Sequence, residues 1–203
     1  RAFALANGLR IVVTPFAGRE LLGLDEDNLA QLEFEDRIVY LNWDLASPDL
    51  GHFLGRGLTL EQARETVAAL LAPVAAHEFL HAKLRLWHGS DFPGTREEEI
   101  LTHIEQAAVF DQVLRDRPAL AEDDGFLARH NRKAWGPWRE GFGPVARYVL
   151  RKYGGFPSFD EPERNARAAK ALLAGLETGV RGPPAWRGRL ARVPAPVPGE
   201  AEQ

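Results

Sequence analysis

Two histidines four residues apart enclose a glutamate, so that His77, Glu78 and His81 form the pattern H-E-x-x-H. On an α-helix, residues four apart lie on one face, one turn above the other. Both imidazoles can therefore bind a single metal ion, each through a neutral ring nitrogen at roughly 2.0–2.1 Å. Glu78 directly follows the first histidine, so its carboxylate is expected beside the metal and not bound to it. The pattern predicts a metal centre on one helix.

The chemistry expected from this centre is hydrolysis. H-E-x-x-H on a helix is the pattern of zinc metalloproteases, in which Glu78 would take the proton of a zinc-bound water and deliver it to a leaving amine. The flanking residues 74–76 and 82 are apolar or small, which indicates a buried helix. Unpaired histidines and a glutamate would be costly there. One Zn²⁺ ion held by His77 and His81, with Glu78 as general base, satisfies all three side chains.

Two histidines and a water leave one protein ligand to be found. No third histidine follows at the metzincin spacing, because Trp87 occupies that position. A glutamate from the next helix would complete a His₂Glu site. His81 lies about six residues, or roughly 9 Å, from the end of its helix, so an antiparallel return places the ligand near residue 101. Glu99 is preferred and Glu105 is the alternative, whereas Glu98 is expected to cap its own helix.

The elements that must position these residues are strands first and helices afterwards. Alternating and β-branched residues predict strands over 9–14, 29–34 and 37–42. Residues 43–48 are expected to leave the sheet, and the glycine-rich residues 50–58 carry His52, which is expected at the surface. A capping box of Thr59 and Gln62 starts the metal-binding helix, and Pro73 is expected to kink or restart it. Helices or helical turns are predicted over 59–87, 95–117, 126–130, 145–153 and 161–178, with loops over 135–138 and 141–144.

The predicted fold class is α+β. A small N-terminal antiparallel or mixed sheet is expected to pack on the metal-binding helix and on a second, glutamate-bearing helix, followed by a mainly helical C-terminal part. Residues 1–180 are expected to form a single domain and residues 181–203 a Pro-rich arm. The arm is interpreted as a linker lying on the surface; an internal inhibitor lying in a peptide groove is the alternative.

The order of β-hairpin, H-E-x-x-H helix, short loop and glutamate-bearing helix over residues 29–114 resembles the gluzincin metallopeptidases. The closest likeness is to their compact forms, the minigluzincins. The resemblance implies a zincin-like peptidase domain over residues 1–180, acting on a peptide or protein substrate. It implies the following roles: His77 and His81 as zinc ligands, Glu78 as general base, and Glu99 or Glu105 as third ligand.

The resemblance carries two further implications. An edge strand, here residues 37–42, would bind an extended peptide by strand addition. Gluzincins often carry Asp or Asn four residues after the ligand glutamate, whereas His103 or Val109 stands there in this chain. A group that stabilises the developing oxyanion is also needed. Three downstream side chains are candidates, each with packing as the alternative: Tyr148, Tyr153 and His130.

Composition bounds the remaining possibilities. The chain has 203 residues, 45% of them hydrophobic and 27% charged, as in ordinary globular proteins. A net charge of −4 argues against nucleic acid as a partner. The absence of cysteine excludes disulfides and thiolate-containing zinc sites. No apolar run approaches the roughly 18 residues of a membrane span, and no signal peptide is expected.

Some properties stay open at this stage. The chain begins at Arg1 and contains no methionine, which predicts a processed or trimmed piece of a longer protein. The compartment is open, with the cytoplasm preferred over secretion after processing, and so is the oligomeric state. The alternative function is a non-catalytic, metal-containing binding or regulatory module on the same scaffold. It is suggested by the lack of an identifiable oxyanion-stabilising residue.

Overall fold

The computed structural model describes residues 8–19, 23–88 and 96–152, together with 167, 169–171 and 174. Its strands are β1 (Arg10–Thr14), β2 (Ala30–Glu33) and β3 (Ile38–Asn42). Its helices are α1 (Trp43–Gly55), α2 (Leu60–His88), α3 (Arg96–Asp116), α4 (Phe126–Glu140) and α5 (Phe142–Lys152), with a short 3₁₀ helix over Pro118–Ala121. The α+β class predicted from the sequence is confirmed. Tyr153, Thr95, the arm over 181–203 and most of the helix predicted over 161–178 lie outside the described residues.

The sheet has the strand order β1-β3-β2 and is mixed. β1 pairs with β3 in parallel, and β2 pairs with β3 antiparallel through a turn over residues 34–37. Arg37 closes that turn with φ 55, in the left-handed region. The prediction that residues 37–42 form an edge strand is therefore wrong, because β3 is the central strand. Its side chains are almost all buried, as expected for a strand with neighbours on both sides.

Residues 43–55 form a helix that the sequence analysis did not predict. Asn42 ends β3 and caps α1, because its side-chain oxygen accepts a hydrogen bond from the backbone N–H of Asp44 (3.0 Å). Ala46 and Phe53 are buried in the main core. Pro48 lies inside this helix and cannot donate a helical hydrogen bond. Burial of the apolar face outweighs that loss.

α2 is the central helix of the molecule. It begins with the predicted capping box: Thr59 N–H donates to Gln62 Oε1 (2.9 Å), and Gln62 N–H donates to Thr59 Oγ1 (3.2 Å). It then continues through Pro73 to His88, so the predicted restart does not occur. Asn131 of α4 supports this region by donating from Nδ2 to the Leu70 carbonyl (2.9 Å).

Among the described residues, the segment Leu60–Trp87 of α2 is long and apolar enough to cross a membrane by length and composition alone. Its most apolar window has a mean hydropathy of 1.2, and 44% of that window is buried. The core helix of a soluble protein meets the same criterion. α2 packs on the sheet and on α1, α3 and α4.

The two larger apolar clusters of the described residues lie along α2. The main cluster joins the sheet, α1, the N-terminal half of α2, the C-terminal half of α3, and α4. The second joins Leu84 of α2 to Ile100 and Leu101 of α3 and to α5. Residues 135–138, which were predicted to form a loop, are helical. Helix α4 ends at Glu140 instead, and Gly141 after it adopts φ 116. The H-E-x-x-H turn and the first turns of α3 meet between the two clusters.

Candidate metal centre

The two histidines of H-E-x-x-H lie one turn apart on α2 and their rings approach each other. His77 Nε2 and His81 Nε2 are 3.1 Å apart, and the ring centroids are separated by 4.9 Å at an interplanar angle of 65°. Both side chains are largely buried, with 12% exposure each. The helical spacing alone produces this convergence, as the sequence predicted.

Glu99 reaches the same point from the first turn of α3. Its Oε1 is 3.5 Å from His81 Nε2 and its Oε2 is 3.7 Å from His77 Nε2. The three residues form a group whose ligand atoms all lie within 4.8 Å of one another. Glu105, the alternative third ligand, is exposed and does not belong to this group. The structure thus brings together the preferred set, although its role as a set of metal ligands stays a prediction.

The donor set fits a tetrahedral cation. Donor atoms at about 2.0–2.1 Å from a tetrahedral zinc ion are about 3.3–3.4 Å apart. The observed separations among His77 Nε2, His81 Nε2 and the two oxygens of Glu99 are 3.1, 3.5 and 3.7 Å. In addition, Glu99 Oε2 is buried and accepts no hydrogen bond from the described part of the chain. A cation shared by the three side chains would satisfy this oxygen.

Glu98 is the residue next to the proposed ligand, and its position was predicted wrongly. It was expected to cap α3, whereas its carboxylate is fully buried and its Oε1 lies 2.5 Å from His81 Nδ1. A carboxylate accepting from Nδ1–H makes Nε2 the nitrogen that a metal ion would bind, once the ion has displaced the proton from Nε2. Its adjacency to a candidate ligand was the one signal in the sequence that could have suggested this contact.

Burial and neighbouring carboxylates act in opposite directions on His81. Burial lowers the pKa of His81, but the Glu98 hydrogen bond and the negative charges of Glu99, Glu98 and Glu78 outweigh it and raise that pKa to about 9. Within the part of the chain that the structure describes, His77 Nδ1 has no hydrogen-bond partner. Burial lowers the pKa of His77 well below its usual range, and the charges of His103 and His81 lower it further. The two histidines therefore differ, because His77 is neutral whereas His81 is held against carboxylates.

His103 is a third histidine at the centre that sequence analysis did not assign to it. Its Nδ1–H donates to the Glu99 backbone carbonyl (2.8 Å), and its ring packs edge-on against His77 with centroids 4.7 Å apart. The ring of Tyr148 also packs edge-on against His103, with centroids 5.6 Å apart. Burial, and next the charge of Lys152, lower the pKa of His103 well below its usual range. His103 is therefore neutral, with its Nε2 lone pair available as an acceptor.

Glu78 lies beside the histidines and outside the proposed ligand set. Burial raises the pKa of Glu78, the charge of His81 lowers it in part, and the charge of Glu99 raises it again. A raised pKa makes this carboxylate a stronger base than an exposed glutamate. A raised pKa is one property expected of a general base, and that role of Glu78 stays a prediction.

The other histidines and the oxyanion candidates lie in different settings. His52 was expected at the surface, but it is half-buried on α1 and its Nε2 lies 3.3 Å from Asp123 and 3.4 Å from Asp124. Arg56 already pairs with Asp123 at 2.5 Å, so this group is explained as an ion-pair cluster. Burial raises the pKa of Tyr148 to about 12, so the phenol is neutral. Burial, followed by the charges of two lysines, lowers the pKa of His130 to about 4.

No protein-family model, curated protein or solved structure matches this chain. The resemblance to gluzincins accordingly stays a prediction, and the case for a function rests on the geometry of the centre.

Proposed function

We propose that the chain is a zinc-dependent peptidase, with His77, His81 and Glu99 as zinc ligands and Glu78 as general base. The supporting observation is the convergence of His77 Nε2, His81 Nε2 and the Glu99 carboxylate, at separations that suit a tetrahedral ion. The resemblance of residues 29–114 to gluzincins points to the same function. A purely structural metal site would have no need of Glu78 beside the ligands.

Hydrolysis follows from the positions of these side chains. Zinc, when bound, polarises the scissile carbonyl and lowers the pKa of a water molecule. Glu78 takes one proton from the attacking water as the water oxygen bonds to the carbonyl carbon. It then gives this proton to the amide nitrogen as the C–N bond breaks. The products are a carboxylic acid and an amine, and Glu78 returns to its ionised form.

The peptide would bind along β2, because β3 is central and cannot accept another strand. Asn42 N–H donates to the Leu29 carbonyl (2.9 Å), and hydrogen-bonded pairs alternate along antiparallel strands. Ala30 and Leu32 therefore direct their backbone N–H and C=O groups away from β3. In the described part of the chain no strand pairs with that edge. Leu32 of β2 and Phe79 of the H-E-x-x-H turn both pack against Leu9 and Ala82, which brings this strand close to the centre.

The decisive experiment separates metal binding from proton transfer. Glu78→Gln, loaded with zinc, should retain one zinc ion by mass spectrometry while its cleavage of unstructured fluorogenic peptides falls by about 10²–10⁴-fold. Glu105→Gln, on the exposed face of α3, is the matched control and should cleave like the wild type. Wild-type turnover by Glu78→Gln would overturn the mechanism. Zinc binding without any cleavage by the wild-type protein would favour the non-catalytic module.

The third ligand is tested separately by metal content. Glu99→Ala should lose most of its zinc after dialysis, because removing one of three protein ligands leaves two imidazoles alone on the ion. Glu105→Ala should retain it. Equal zinc content in the two variants would remove Glu99 from the ligand set.

A further inference from the structure

A lysine from the end of α5 reaches the centre through His103. Lys152 Nζ lies 3.3 Å from His103 Nε2. Because His103 Nδ1–H donates to the Glu99 carbonyl, its Nε2 accepts, and the Lys152 ammonium is the donor. The chain of contacts therefore runs from the backbone of the proposed ligand Glu99, through a neutral imidazole, to a cation.

The ammonium group is separated from the proposed ligand His77 by a single ring. His103 packs against His77 with ring centroids 4.7 Å apart. Burial lowers the pKa of His77 most, and the charges of His103, His81 and Lys152 lower it further. Burial raises the pKa of Glu78, whereas the charge of Lys152 is among those that lower it. The positive charge of Lys152 therefore acts on both the proposed ligand His77 and the proposed base Glu78.

The position of Lys152 suits a group that meets a substrate. The residue is exposed, while His77, Glu99 and His103 behind it are largely or fully buried. In the described residues the nearby guanidinium of Arg85 is directed elsewhere, because it lies over the Phe34 ring at 5.8 Å, beside the hairpin. The Lys152 ammonium at the end of α5 therefore lies beside the buried centre on an exposed residue that a substrate can reach.

We propose that Lys152 is a catalytic residue, which stabilises the negative charge that develops on the carbonyl oxygen of the scissile peptide, and that His103 positions it. This inference rests on the proposed peptidase function and supplies the oxyanion-stabilising group that the sequence did not reveal. The carbonyl oxygen gains negative charge as water adds to the carbon, and a fixed ammonium is worth more in the transition state than in the ground state. Lys152 donates a hydrogen bond and transfers no proton.

The test compares kcat with KM and adds a binding measurement. Lys152→Met, zinc-loaded, should lower kcat on a fluorogenic peptide by about 10²–10³-fold, with KM changed by less than about threefold. Its affinity for a phosphinic peptide of the same sequence, which mimics the charged tetrahedral carbon, should fall in parallel by calorimetry. Lys152→Arg should recover part of both. Lys133→Met removes an equal charge from an exposed position of α4 and should behave as the wild type.

His103→Phe tests the positioning role. Phenylalanine preserves the ring that packs on His77 but removes the acceptor for Lys152. We expect kcat and phosphinate affinity to fall while KM and zinc content are retained. Retained kcat and phosphinate affinity in this variant would remove His103 as the positioning residue.

Three outcomes would overturn the role of Lys152. Wild-type kcat and phosphinate affinity in Lys152→Met would make the lysine a packing residue. A rise in KM that disappears when the substrate C-terminus is amidated would instead assign Lys152 to a substrate carboxylate. If the wild-type protein neither cleaves peptides nor binds the phosphinate, the peptidase proposal itself fails. If the wild-type protein does both and Lys152→Met behaves like it, only the role of Lys152 fails and the peptidase proposal stands.

Discussion

Two of the proposed ligands are held by neighbours that are not themselves proposed ligands, His81 through its side chain and Glu99 through its backbone carbonyl. Glu98 accepts from His81 Nδ1 at 2.5 Å and thereby turns Nε2 toward Glu99. His103 and Thr102 both donate to the Glu99 carbonyl, at 2.8 and 3.0 Å. These contacts hold the first turns of α3 in place before any ion binds. Consecutive glutamates therefore have different roles, one facing the proposed ion and the other the back of an imidazole.

At the residue scale we predict that Glu98→Ala weakens zinc binding by about 10–100-fold, the usual effect of removing a carboxylate behind a metal-binding histidine. Glu98→Gln should weaken it less, since the amide oxygen still accepts from Nδ1–H. Competition with a fluorescent zinc chelator measures the affinity. Glu105→Ala is the control on the same helix. An unchanged affinity in Glu98→Ala would show that the tautomer of His81 is set by something else.

At the scale of elements, buried polar side chains join the helices that surround α2. Asp49 of α1 accepts hydrogen bonds from the backbone N–H groups of Phe126 and Leu127, both at 2.8 Å, so one helix caps the N-terminus of another. Asn131, further along α4, donates to the Leu70 carbonyl and accepts from Gln106 of α3 (3.0 Å). α4 is thereby tied to α1, α2 and α3.

We predict that Asp49→Ala lowers the free energy of unfolding by roughly 2–3 kcal/mol, because two buried N–H groups lose a charged acceptor. Chemical denaturation provides the measurement. Asp49→Asn should be intermediate, since one oxygen remains. Asp116→Ala, at an exposed position of α3, should stay within about 0.5 kcal/mol of the wild type. A loss no larger than that of the control would mean that the N-terminus of α4 is capped equally well by water.

At the scale of the whole molecule, the proposed ion would bridge the two helices with the most extensive mutual packing. The imidazoles belong to α2 and the carboxylate to α3, and these helices contribute to both apolar clusters. An ion that binds the folded chain and not the unfolded one adds its binding free energy to stability, about 4 kcal/mol at a thousandfold excess over Kd. Metal binding and folding are then coupled through this pair of helices.

We therefore expect a chelator to lower the Tm of the zinc-loaded protein and added zinc to restore it, as measured by calorimetry. The matched control is Glu99→Ala, in which chelator and zinc should change Tm far less. A wild-type Tm that is independent of chelator and zinc would contradict the bridge between α2 and α3.

Much of the fold was predictable because its signals are local. Alternating side chains mark β1, β2 and β3, and the reciprocal capping box marks the start of α2. The one-turn spacing of His77 and His81 follows from helical geometry alone. The sequence analysis missed helix α1 and the helical conformation near residue 137 of α4. Both segments contain proline and glycine, which are typical of loops. There, burial of an apolar face and long-range contacts decided the conformation.

By itself the sequence determined an α+β chain with two imidazoles on one face of a buried helix and glutamates in the helix that follows. The tertiary structure decided which carboxylate faces the imidazoles, that β3 is central and β2 the edge, and that His103 and Lys152 join the centre. The physical reason is how far apart in the chain the interacting residues lie. A helical turn and a cap depend on residues within about four positions, whereas the approach of α3 and α5 to α2 depends on packing between segments far apart in the chain.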